Sequence, residues 1–200
     1  MDEKTLNKYI EAGKIAKTVR ETSREFIKPG MKLIEIAEKI EKTIKDNNAE
    51  IAFPVNLSMN EKAAHYTPNK EDKTKFTEND LLKVDIGVHL DGFIADTAYS
   101  ISFNKNHEKL IKASEEALKK ALELCKPNTL LSKISETIEE TIENTPTPTP
   151  PTNETEPRYE SSVYNMPEYS YEKEAFPVRR EMEERKIIVR EEDLSLIHIS

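Results

Sequence analysis

Lys83-Val-Asp-Ile-Gly-Val-His-Leu-Asp-Gly-Phe-Ile-Ala-Asp-Thr97 carries the densest structural signal in the chain. Apolar and polar residues alternate at the strand period, and Asp91-Gly92 is the strongest short hairpin signal a sequence offers. A two-residue turn there sets Leu90 against Phe93, Val88 against Ala95, Gly87 against Asp96 and Asp85 against Ala98. Asp85 and Asp96 then leave the same face of the ribbon as diagonal neighbours, roughly 7–8 Å apart at their backbones. Two carboxylates so placed can converge on one divalent ion, or on two ions about 3.5–4 Å apart. Aspartates near hairpins are more often turn formers, and Asp91 is one. Asp85 and Asp96 have apolar flanks instead (Leu82, Val84, Ile86, Val88, Ile94, Ala95, Ala98). A buried carboxylate without a cation or several donors is costly.

Outward from the ribbon, two segments resemble each other. Residues 4–27 read as a helix with Leu6, Ile10, Ile15, Val19, Phe26 and Ile27 on one side, stopped by Lys28-Pro29-Gly30. Leu33, Ile36, Ala37, Ile40 and Ile44 mark a second helix. The pattern returns 98 residues later. A helix from about Glu108 to Cys125 carries Leu110, Ala113, Ala117, Leu118, Ala121 and Leu122; Lys126-Pro127-Asn128 interrupts it; Leu131, Ile134, Ile138 and Ile142 form the next stripe. Residues 28–44 laid on 126–142 share nine identities in seventeen positions, with the Lys-Pro break in register. This predicts a pseudo-symmetric domain of two similar halves. In the first half Ala52–Ser58 reads as a strand, followed by the Ala64-His65-Tyr66-Thr67-Pro68 loop and the ribbon.

After Ile142 the pattern fails. Asn144-Thr-Pro-Thr-Pro-Thr-Pro-Pro-Thr152 forms neither a helix nor an inner strand, because proline lacks the donor and fixes its own φ. Seven of the eleven prolines fall in the last 56 residues. Residues 1–144 are therefore expected to be one structured part, and 145–200 a linker with an unstructured, non-native tail. A native extension is the alternative.

Bulk properties set limits. The chain has 200 residues, 36% hydrophobic and 34% charged, with net charge −8. That charge disfavours nucleic acid and anionic lipid as partners. Cys125 is the only cysteine, so no internal disulfide forms. With neither a signal peptide nor a membrane-length apolar run, a cytoplasmic protein is expected.

Phe53-Pro-Val-Asn-Leu-Ser-Met-Asn-Glu61, Ala64-His-Tyr-Thr-Pro68 and Val84–Ala98 together resemble the type 2 methionine aminopeptidases of the archaeal kind, over about residues 4–144. The resemblance implies an α/β (α+β) pita-bread fold, here only its N-terminal part, with a curved antiparallel sheet and flanking helices. It implies a hydrolase with two divalent metal ions (Co, Mn, Fe or Zn) that removes the initiator methionine from nascent polypeptide N-termini, as a monomer when intact. Asp85 and Asp96 fall on the family's two aspartate ligands, Asp96 bridging both ions and Asp85 chelating one. His65 falls on its active-site histidine, which contacts substrate near the scissile bond. His89 and His107 are left as structural residues.

The family's remaining ligands, one histidine and two glutamates, have no counterpart in this chain, since His198 lies in an unrelated context. A dinuclear site needs a fuller set, so the chain by itself is expected to be inactive and to expose an apolar patch that promotes association. Two alternatives are a non-catalytic pita-bread binding protein and another pita-bread hydrolase, such as a proline-specific aminopeptidase.

Overall fold

The computed structural model describes residues 2–145. Two helices, α1 (Glu3–Phe26) and α2 (Leu33–Asp46), precede an antiparallel sheet of β1 (Glu50–Met59), β2 (Leu81–Leu90) and β3 (Phe93–Ser102) in the order β1-β2-β3. A short 3-10 turn, Lys105–His107, leads into α3 (Glu108–Leu124) and α4 (Leu131–Glu143).

The β2–β3 pairing runs Leu90↔Phe93, Val88↔Ala95, Gly87↔Asp96 and Asp85↔Ala98, the register expected from the turn. Asp91 (φ 52°) and Gly92 (φ 85°) both take the left-handed conformation that a two-residue hairpin turn of this kind requires. Two contacts fasten it. Gly92 N–H donates to His89 Nδ1 at 3.2 Å, and Lys8 of α1 pairs with Asp91 at 3.0 Å. His89 thus has a structural role at the turn.

Strand alternation gives the sheet two different faces. Leu82, Val84, Ile86, Val88, Ala95, Thr97 and Tyr99 face α1 and α2 together with Val55 and Leu57, and all are buried. Leu33, Ile36, Ala37, Ile40 and Ile44 of α2 complete this core, as their spacing predicts. For α1 the expected stripe needs correction. Its buried residues are Ala12, Gly13, Ala16, Val19 and Ser23, with Ile27 at the cap, while Leu6, Ile10, Ile15 and Phe26 are half-buried. Small side chains at the contact let the helix axis approach the sheet closely, so the larger residues lie on the flanks. The first N–H groups of α2 also need partners; Leu33 N–H donates to Thr74 O at 3.0 Å. The same loop buries Phe76, tied by Gly30 N–H to Phe76 O at 2.7 Å and by Phe76 N–H to Met31 O at 2.9 Å.

The 98-residue repeat is present in the backbone. Helix α1 ends at Phe26 and α3 at Leu124; α2 begins at Leu33 and α4 at Leu131. Gly30 (φ 93°) and Asn128 (φ 69°), at equivalent places in the two turns, are both left-handed. The environments nevertheless differ. Leu33, Ile40 and Ile44 of α2 are at most 1% exposed, whereas Leu131, Ile138 and Ile142 of α4 are 77%, 36% and 39% exposed. Helices α3 and α4 pack mainly on each other, and their buried residues are Ala113, Ala117, Ala121 and Thr141.

Candidate functional site

The second face of the sheet carries the polar rows. Asn56 pairs with Asp85 and Asp85 with Ala98; Ser58 pairs with Lys83 and Lys83 with Ser100; Phe53 pairs with Gly87 and Gly87 with Asp96. Asp85 and Asp96 therefore share this face as diagonal neighbours. The pairing of β1 with β2 is irregular between Ile51 and Asn56, around Pro54, and β1 is an edge strand, where proline is tolerated. Beyond the irregularity, Asn56 falls in the row of Asp85.

A cleft of about 280 Å³ opens over these rows. Asn56, Ser58, Lys83, Asp85, Ala98 and Ser100 form its floor, the Ala63–His65 loop one wall, and Ile111, Ser114, Glu115 and Leu118 of α3 another. His65 and Asp85 line it together. Asp96 is not among its lining residues, although it shares the sheet face with Asp85. It stands one row nearer the hairpin turn, opposite Gly87. The Phe53 ring covers that glycine: a Cβ on Gly87 would lie 2.3 Å from Phe53 Cε1.

His65 is exposed and takes a positive φ of 63°, a conformation uncommon for residues other than glycine although histidine tolerates it better than most. Its loop is laid along β1 like a short extra strand. Leu57 N–H donates to Tyr66 O at 2.6 Å, Tyr66 N–H to Ser58 Oγ at 3.2 Å, and Thr67 Oγ1 to Asn56 Oδ1 at 2.7 Å. Farther out, Tyr66 donates to Asp72 at 2.7 Å and lies under the Lys62 ammonium, 3.7 Å from the ring centroid.

The carboxylates differ from ordinary surface acids. The Oδ1 atoms of both Asp85 and Asp96 are buried, and that of Asp85 has no hydrogen-bond partner among the described residues. Lys83 sits one row away, its ammonium donating to Asn60 O at 2.7 Å, and burial holds its pKa below the usual lysine value. At the β3 side, burial pushes the Tyr99 hydroxyl up to about 12, so it stays neutral and shares a 2.8 Å hydrogen bond with Ser23. Arg24 stacks over the Tyr99 ring at 4.5 Å and reaches Glu115 at 3.5 Å, which ties α3 to the first layer.

Buried carboxylate oxygens suit a divalent cation in kind, since hard oxygen donors are what such ions prefer. In number they are insufficient. Among the described residues no group of three or more His, Cys, Asp or Glu could hold a metal ion. His107 is occupied otherwise, at 2.8 Å from Ser102 Oγ. That hydroxyl already donates to Asp80 O at 2.7 Å, so the pair is no nucleophile and base. His198 and the tail lie outside the described residues. Sequence reasoning missed the roles of Asn56, Phe53 and Glu115 in forming the site. The irregular strand around Pro54 was the signal for the first two; Glu115 had none, being one of many acids on a helix surface.

The sequence model described as "Metallopeptidase family M24" matches residues 7–172. The methionine aminopeptidase of Pyrococcus abyssi is 49% identical over 134 residues, 67% of this chain and 45% of that protein. The chain thus spans about half the length of the curated relatives it matches. The crystal structure of a methionine aminopeptidase from Thermotoga maritima superposes with a TM-score of 0.65 at 26% identity, covering 72% of this chain and 61% of that one. A prolidase from Pyrococcus furiosus gives 0.61 at 22% identity over 71% and 43%, a likeness of fold alone. These neighbours share the pita-bread fold, to which the mixed helix and antiparallel-sheet architecture described above conforms. No helix among the described residues is long and apolar enough to cross a membrane. With most of its length matched by the family model, and the sheet, loop and helix pairs of the fold in place, the chain belongs to metallopeptidase family M24.

Proposed function

We propose that this chain forms the N-terminal part of a dinuclear-metal methionine aminopeptidase, acting in the cytoplasm on the N-termini of nascent polypeptides. The observation that carries this reading is the pair of aspartates on one sheet face, each with a buried Oδ1, that of Asp85 having no hydrogen-bond donor among the described residues. Asp85 and Asp96 are the residues that would hold metal. Divalent ions, when bound, supply Lewis acidity toward water and the scissile carbonyl. His65, which lines the same cleft as Asp85, would contact the substrate near the bond to be cut; their shared cleft supports this reading. The lining is mixed in character, with Lys83, Asp85 and Glu115 beside Ala63, Ala64, Ala98, Ile111 and Leu118. The family's remaining ligands, one histidine and two glutamates, have no counterpart in this sequence, so the 200-residue chain is expected to be inactive by itself.

The test is hydrolysis of a methionyl peptide with added cobalt or manganese. One arm uses the 200-residue chain. The other uses a chimera in which residues 1–144 precede the remaining half of the Pyrococcus abyssi relative. Cleavage by the chimera, lost in Asp85→Asn and in Asp96→Asn, is the expected result. A folded chimera that does not cleave would favour a non-catalytic binding protein, and preference for a prolyl second residue would favour a proline-specific peptidase.

A further inference from the structure

The His65 loop needs something to hold it at a defined height above Asp85, and the geometry points to Asn56 as that positioning residue. This rests on the reading of His65 and Asp85 as one site. Asn56 is paired directly with Asp85 across β1 and β2, so their side chains rise side by side from the same row. Its Oδ1 accepts the Thr67 hydroxyl at 2.7 Å, two residues after His65. One side chain is therefore fixed to the aspartate strand at its base and to the histidine loop at its tip.

The neighbouring contacts leave this bond a definite task. On the near side of His65 the Lys62 N–H donates to Met59 O, and beyond it Leu57 N–H to Tyr66 O and Tyr66 N–H to Ser58 Oγ hold the backbone at Tyr66. None of these bonds reaches the row of Asp85. The Thr67–Asn56 bond does, and it sets the loop's height and direction relative to that row. The constraint matters because His65 is exposed, with φ of 63°, and has little packing of its own to restrain it. A residue in a sparsely populated backbone region persists only where its surroundings over-determine it. Asn56 gives that over-determination from the strand that faces Asp85.

The experiment uses the full 200-residue chain and reads the four histidine side chains by NMR, with His65 assigned by its loss in His65→Gln. His89 and His107 serve as internal controls, each held by its own hydrogen bond away from the loop. Thr67→Val changes an exposed residue and removes the hydroxyl while keeping the side-chain shape. It is expected to move the His65 resonance, leave His89 and His107 in place, and speed exchange of the Leu57 amide about fivefold, the loss of one hydrogen bond. Asn56→Ala is expected to move His65 in the same direction, the double variant no further than either single one, and Thr67→Ser to match the parent. Coupled residues are non-additive in this way. A purely structural role of Asn56 within β1 would speed Leu57 exchange and leave His65 unmoved in Thr67→Val. That outcome overturns the assignment, as does simple addition of the two effects. If Asn56→Ala unfolds the sheet and His89 and His107 move too, Thr67→Val alone decides. Spectra as expected beside a chimera that fails to cleave would remove the proposed function; unmoved spectra beside a cleaving chimera would remove the Asn56 role.

Discussion

Asp85 occupies a place that folding by itself disfavours. A buried carboxylate oxygen with no donor costs about 1–3 kcal/mol, and Asp85 Oδ1 has none among the described residues. Exchange of this residue for the neutral amide should therefore stabilise the metal-free chain by about 1 kcal/mol, while abolishing any gain in stability from added manganese. Thermal unfolding of Asp85→Asn with and without manganese reads both signs; a lower midpoint without metal would refute the argument. Gly87 poses the opposite case. A methyl group there meets the Phe53 ring at 2.3 Å, so Gly87→Ala should cost about 1–3 kcal/mol through overpacking. Most of that should return in Gly87→Ala/Phe53→Ala, a coupling measurable by denaturant titration. The sequence reveals the two aspartates because period-two alternation places them on one face. It does not reveal Phe53 above Gly87, which depends on an irregular register in β1. Nor does it reveal the separation of Asp96 from the cleft, because that depends on where the loop wall and α3 close over the rows.

Elements were legible wherever one strong local signal set their register. Asp91-Gly92 fixes every pair from Leu90↔Phe93 to Leu81↔Ser102, and the two Lys-Pro breaks mark helix ends 98 residues apart. Helix α1 was less legible. Its contact face is built from Ala12, Gly13, Ala16, Val19 and Ser23, so a search for large apolar residues finds Val19 and Ile27 but otherwise the flanks. The β1–β2 junction depends on a polar node of equal subtlety. Burial pushes the Asp80 carboxyl up, yet hydrogen bonds from Asn60 and Thr77 outweigh it and hold the pKa below the usual aspartate value. A depressed folded-state pKa contributes stability above the unfolded value, about 3.9, and that contribution disappears as pH falls through the folded value. Asp80→Asn should thus be less stable than the parent at neutral pH, with the difference shrinking below about pH 4. Denaturation midpoints across pH 2–7 would check it. A constant difference over that range would mean that the amide's lost contacts, not the charge, matter.

At the scale of the whole molecule, the same helical stripe meets two fates. Leu33, Ile40 and Ile44 lie beneath a three-stranded sheet; Leu131, Ile138 and Ile142, their counterparts 98 positions on, are open among the described residues. Burying an aliphatic side chain of this size contributes about 1.5–3 kcal/mol, so α2 gains stabilisation that α4 does not. Truncation should expose the asymmetry. Ile40→Ala is expected to cost about 2–5 kcal/mol, the range for a large-to-small change in a packed core. Ile138→Ala and Ile142→Ala trim residues already 36% and 39% exposed and should each cost less, about 1 kcal/mol. The open stripe, together with exposed Leu110, Leu118 and Leu130 on the same helix pair and the turn between its helices, leaves apolar surface of the kind that drives association. Paired Leu130→Lys/Leu131→Lys should therefore leave the unfolding midpoint nearly unchanged while lowering the average mass seen by sedimentation at high concentration. Equal costs for Ile40→Ala and Ile138→Ala would mean that α4 is covered in solution. In that case the lysine variant should unfold early rather than merely dissociate.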